Sequence, residues 1–156
     1  MEVRSSDYIY PLISTMKKDI KIFYADDDED DLSFFKMATS ELSCDVRLFS
    51  SGTDLLEQIK NPPPVPQVVF LDINMPHRNG LQILQDIRES DYPDTQVIMF
   101  STASSDASIE QMKKLGANYY LIKPTSVLVL EKALKEIVDM TITETKFSDT
   151  AFVLNF

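Results

Sequence analysis

Cysteine is almost missing from this chain: Cys44 stands alone, which excludes an internal disulfide and fits a reducing compartment. Long apolar runs are missing too. No stretch approaches the roughly 20 residues that a membrane span needs. Residues 1–19 carry mixed charge and lack the apolar core of a signal peptide. Positive charge is scarce, with 15 Lys and Arg against 25 Asp and Glu and a formal net charge of −10. Phosphate backbones are bound by clustered Lys and Arg, so this balance argues against nucleic acid as a direct partner. No internal repeat is present. These absences leave a cytoplasmic globular protein as the expectation. Its 156 residues, 44% of them hydrophobic, fill one domain with little left for a second.

What is present alternates between strand and helix patterns. Ile20 to Ala25 reads as a first strand and Asp30 to Leu42 as a helix capped by the acids before it. Val46 to Phe49 is a short second strand. A second helix, Asp54 to Lys60, is stopped by Asn61-Pro62-Pro63-Pro64. Val68 to Leu71 and Val97 to Phe100 are continuous apolar runs, the mark of strands covered on both faces. Between them Leu81 to Arg88 forms a third helix. Ala107 to Leu115 is a fourth, ended by Gly116. Tyr119 to Ile122 is a fifth strand and Val127 to Met140 the last helix. Five such units predict a parallel sheet with helices on both faces. An N-terminal extension (1–18) and a C-terminal tail (141–156) lie outside this pattern. The tail carries Phe147, Phe152, Val153, Leu154 and Phe156, which is apolar enough to pack on its own domain or to serve a partner or dimer contact.

The first strand runs straight into six acids, Asp26-Asp27-Asp28-Glu29-Asp30-Asp31. Burying carboxylates side by side is costly unless positive charge sits among them. Helix-start charge accounts for Asp28 to Asp31, which leaves Asp26 and Asp27 for a site. In an open α/β sheet, ligands sit outside the carboxyl ends of the strands. The residues just past the strands are Asp26 and Asp27, Asp72, Ser101 and Lys123. Clustered carboxylates suit a hard divalent cation such as Mg²⁺. A neighbouring carboxylate can attack phosphorus, and a hydroxyl and an ammonium can hold phosphoryl oxygens.

Four segments carry a family resemblance: Ala25-Asp26-Asp27-Asp28, Leu71 to Gly80, Val97 to Ala103, and Leu115 to Pro124. In order and in register, over about Lys18 to Met140, they resemble the receiver domain of two-component response regulators. The resemblance implies a stand-alone, CheY-like switch on a flavodoxin-like (βα)5 fold, five parallel strands in the order 2-1-3-4-5. It makes Asp72 the phospho-acceptor, and Asp26, Asp27, Asp72 and the Asn74 carbonyl the Mg²⁺ site. Ser101 and Lys123 would hold the phosphoryl group, and Ser101 and Tyr120 would form the switch pair. The bond before Pro124 would be cis. The implied partners are a sensor histidine kinase or histidine phosphotransfer protein, and a downstream target protein. A homodimer would use the face of the fourth helix, fifth strand and fifth helix, or the tail. Such a switch is not a turnover enzyme, although it promotes its own phosphorylation and dephosphorylation.

Plainer roles stand beside these. Asp72 could be a turn residue, Lys123 a surface lysine, Tyr120 a core aromatic, and His77 a solvated loop residue rather than a base or phosphocarrier. Thr102 replaces the small residue usual after the switch hydroxyl. Ala103 cannot hydrogen-bond an attacking water, and Thr125 follows Pro124 where an apolar residue is common. Two other functions compete. An aspartyl-phosphate-forming phosphatase or phosphotransferase would need an acid where Asn74 stands. A degenerate receiver acting as a constitutive binding module would not need Asp26, Asp27, Asp72, Ser101 and Lys123 intact.

Overall fold

The computed structural model describes residues 20–145 and 151–156. The predicted N-terminal extension and Phe147 of the tail lie outside the described residues. The chain alternates β1 (Ile20–Ala25), α1 (Glu29–Thr39), β2 (Cys44–Phe49), α2 (Gly52–Lys60), β3 (Val68–Leu71), α3 (Gly80–Arg88), β4 (Gln96–Ser101), α4 (Asp106–Lys114), β5 (Tyr119–Ile122) and α5 (Val127–Thr143), then adds β6 (Val153–Leu154). All neighbouring strands pair in parallel. The sheet order is β2-β1-β3-β4-β5-β6. The five-stranded doubly wound order expected from the sequence is therefore present, with one short strand more. α5 also runs past Met140 to Thr143.

Period-two alternation sorts each central strand between two apolar layers. Ile20, Ile22 and Tyr24 of β1 pack with Phe35 of α1 and Leu130, Leu134 and Ile137 of α5. Phe23 and Ala25 face the other way, against Leu55 and Ile59 of α2, Ile83 and Ile87 of α3, and Met112 of α4. β3 is buried along its whole length, which is why its sequence shows no polar face.

Local chemistry sets the helix starts at the functional end of the sheet. Asp28 caps α1 by accepting from the Asp30 and Asp31 amides. Glu29, Asp30 and Asp31 then occupy the first turn, where the helix dipole favours negative charge. Asn79 caps α3 in a reciprocal box with Gln82. Gly80 follows because the chain passes so close to β3 that a Cβ there would lie 2.2 Å from the Asp72 carbonyl oxygen. The helix after Asp72 is thus held tightly against the strand end that presents it.

Candidate functional site

β1 and β3 lie side by side and end together, with Ala25 opposite Leu71. The next residues, Asp26 and Asp72, consequently emerge at the same edge, and the Asp72 amide donates to the Ala25 carbonyl at 3.1 Å. Both are buried, at 1% and 5% exposure. Asp27 is exposed beside them. One carboxylate oxygen from each of Asp26, Asp27 and Asp72 lies within 4.8 Å of the others.

Lys123, one residue past β5, reaches across to this cluster. Its Nζ donates to Asp26 Oδ2 at 2.7 Å and Asp31 Oδ2 at 2.8 Å, and lies 3.1 Å from Asp72 Oδ1. An ammonium has three protons, and three carboxylates take them. Its amide donates to the Ser101 carbonyl at 2.7 Å, tying the end of β5 to the end of β4. The cis peptide bonds among the described residues are Pro62–Pro63 and Pro63–Pro64. The Lys123–Pro124 bond is therefore trans, contrary to the sequence expectation. Trans is the lower-energy form of most X-Pro bonds, and in it Lys123 already meets the acids.

Two residues of this site were not singled out in the sequence. Asp31, taken for helix-start charge alone, is the third residue of α1, and there its carboxylate turns toward Lys123. Tyr24 lies two residues before Asp26 and on the same side of the strand. Its hydroxyl donates to Asp26 Oδ2. Period-two spacing was the available signal for Tyr24, but a buried tyrosine reads first as core. Its ring does pack there, 4.4 Å from Phe35 and 5.4 Å from Phe100 between centroids. Asp26 is held by three bonds: Oδ1 accepts from the Asp28 amide at 2.9 Å, while Oδ2 accepts from both Tyr24 and Lys123.

The electrostatics follow from burial and crowding. Burial first, and then the negative charge of Asp26, push the Asp72 carboxyl above the usual carboxylate range. Lys123 pulls the other way without cancelling them. Burial alone would lower the Lys123 ammonium, yet its bonds to Asp26 and Asp31 hold it above its ordinary value. It is a permanent cation here. Burial and the bond to Asp26 raise the Tyr24 hydroxyl, so it stays a neutral donor. Four carboxylates around one ammonium leave an excess of negative charge in a partly buried cleft, the donor chemistry that a hard divalent cation satisfies.

The remaining predicted residues surround this cluster. Ser101 ends β4 and is buried. Asn74 is exposed in the loop two residues after Asp72. Tyr120 is buried among core residues, and its hydroxyl donates to the Thr102 carbonyl, next to Ser101. It is a core aromatic and also a tether of the β4–α4 loop. His77 is exposed in the β3–α3 loop at φ 66°, as a solvated loop residue would be.

Comparison with known proteins identifies the family and the fold. A "Chemotaxis protein CheY homolog" of Campylobacter jejuni is 34% identical over 73 residues, 46% of this chain and 56% of that protein. The chain thus spans little more than half the length of such relatives. Among solved structures, the receiver domain of the Francisella response regulator 1452 superposes with a TM-score of 0.69 at 27% identity, covering 82% of this chain and 100% of that one. The BeF3-activated DrrB receiver domain gives 0.67 at 27% identity over 81% and 99%. No helix among the described residues is long and apolar enough to cross a membrane. The family model for the response regulator receiver domain matches residues 22–135, and the chain belongs to that family.

Proposed function

We propose that this chain is a phosphorylation switch: Asp72 accepts a phosphoryl group from a phosphohistidine of a kinase or phosphotransfer protein, and the modified chain changes its affinity for a target protein. The observation that carries the reading is the convergence of a buried Asp72 with Asp26, Asp27 and Lys123 at one sheet edge.

A carboxylate oxygen of Asp72 attacks phosphorus, the P–N bond breaks, and its electron pair stays on the donor imidazole, which takes up a proton from solvent. The product is an aspartyl phosphate. Burial and the neighbouring Asp26 raise the proton affinity of Asp72, which makes its ionised form more nucleophilic than an exposed carboxylate. Lys123 already lies against Asp72, so it holds an oxygen of the incoming phosphoryl group without a large movement. To do so it must loosen its bonds to Asp26 and Asp31. The Ser101 hydroxyl, at the buried end of β4, takes a second oxygen. Asp26, Asp27, Asp72 and the Asn74 carbonyl would hold Mg²⁺, which supplies charge neutralisation at the phosphoryl oxygens when bound. Thr102 and Tyr120 then carry the change outward, because the Tyr120 hydroxyl is bonded to the carbonyl that follows Ser101.

The test is direct. The chain is incubated with Mg²⁺ and acetyl phosphate, and its intact mass is followed. One added phosphoryl group is expected on the wild type and none on Asp72→Asn. Equal labelling of the two chains would move the acceptor elsewhere, and no labelling of either would leave a receiver used only for binding.

A further inference from the structure

An edge strand with open main-chain groups is a template for another strand. In this chain the β5 edge is filled by the chain's own C-terminal segment. Tyr120 lies beside Val153 and Leu121 beside Leu154 in parallel register, and the Tyr120 amide donates to the Phe152 carbonyl at 2.9 Å. The two residues of β6 go to opposite layers. Val153 packs on the side of α2, α3 and α4. Leu154, 4% exposed, joins the side of α1 and α5. The Phe152 ring sits under Lys113 of α4, with Nζ 5.3 Å from its centroid. The β5 edge is therefore a slot with a main-chain ladder along its floor and apolar walls on both sides.

The occupant is short. β5 is four residues long, and the ladder consists of two residue pairs. Leu154 is the only residue of 151–156 that is fully buried. We infer that the β5 edge is a strand-addition site for an extended apolar peptide of a target protein, with residues 151–156 as its displaceable occupant in cis. A second copy of the chain offers the same contacts as the resident segment and none of its high effective concentration. A target strand able to continue the ladder toward Ile122 adds main-chain bonds that a two-residue strand lacks. Because Tyr120 holds both this ladder and the Thr102 carbonyl, strand exchange acts on a residue that also touches the end of β4.

The experiment uses the full chain without Mg²⁺ or phosphodonor, so its outcome is independent of the phosphoryl-transfer reading. Fluorescein-labelled Ala-Phe-Val-Leu-Asn-Phe, the sequence of residues 151–156, is titrated by anisotropy into the wild type and into Leu154→Asp, whose new carboxylate cannot stay in the apolar layer. The variant is expected to bind the peptide at least tenfold tighter than the wild type. Its Tyr120 amide should exchange faster, and the peptide should slow it again. A combined Phe152→Ala and Val153→Ala chain, which puts no charge in the core, should behave the same way if Leu154→Asp does not fold. The peptide Ala-Phe-Val-Leu-Val-Val, able to extend the ladder, should displace the resident segment from the wild type. Equal binding to all chains, no binding to any, or Tyr120 exchange that ignores the substitutions would overturn the inference. Failure of the ladder-extending peptide to compete would also overturn it. A wild-type dimer lost in Leu154→Asp would give the edge to a second copy and overturn the target assignment.

Discussion

Asp72→Asn should make the metal-free protein more stable, and the size of the gain follows from the site. Two unit charges 4.8 Å apart at an effective dielectric of about 20 repel by about 3.5 kcal/mol, and Asp72 has two such neighbours in Asp26 and Asp27. Its attraction to Lys123 at 3.1 Å returns about 5 kcal/mol on the same scale. The difference, about 2 kcal/mol, opposes the charged form, and desolvation acts in the same direction. Asparagine keeps the shape and removes the charge, while Lys123 keeps Asp26 and Asp31. For a chain of this length, about 2 kcal/mol corresponds to a rise in Tm of roughly 4–8 °C. The sign with pH is fixed as well. A carboxyl whose folded pKa is raised favours the folded state below its unfolded pKa, and that advantage is lost as pH rises through the folded value. The gap between variant and wild type should thus be full above the raised folded value and close as pH falls toward about 4, the ordinary carboxylate range. Mg²⁺ should stabilise the wild type by mass action, and Asp72→Asn much less, so the two converge in the metal. Thermal melts in chelator and in Mg²⁺ at several pH values read all of this. A variant that melts at or below the wild type at neutral pH without metal would refute the electrostatic account.

The remaining predictions concern the groups around that carboxylate. Tyr24→Phe removes a buried hydroxyl bonded to Asp26 and should cost about 2 kcal/mol, lowering Tm where Asp72→Asn raises it. Asp31→Asn releases one of the three acids on Lys123. That carboxylate is 39% exposed, so stability should change by less than about 1 kcal/mol, while acetyl phosphate labelling speeds about two- to fivefold as Lys123 becomes freer to serve Asp72. Gly80→Ala forces a methyl against the Asp72 carbonyl and should cost about 2–3 kcal/mol. It should also slow labelling well below the melting midpoint, since the strain falls on the acceptor's own backbone.

Much of this was legible because it is local. β1, β3 and β5 were bounded in the sequence as they stand in the structure, since apolar runs between turn residues leave little choice of ends. Helix starts were misplaced by one or two residues where the cap lies outside the apolar pattern, as with Asp28 before Glu29 and Ser51 before Gly52. The strand-end rule placed Asp26, Asp72, Ser101 and Lys123 near one edge without coordinates, because parallel strands all turn their carboxyl ends to the same edge of the sheet.

The sequence by itself determined the alternating architecture and the acidic character of one sheet edge, both consequences of short-range periodicity and of where strands stop. Only the tertiary structure decided how the charges pair. Lys123 lies 92 residues from Asp31 and 97 from Asp26, and no local pattern states which carboxylates a flexible ammonium will choose. The same is true of Tyr24, whose ring belongs to the core and whose hydroxyl belongs to the site. It is true also of β6, two residues whose strand form exists only because the β5 edge supplies the other half of the ladder.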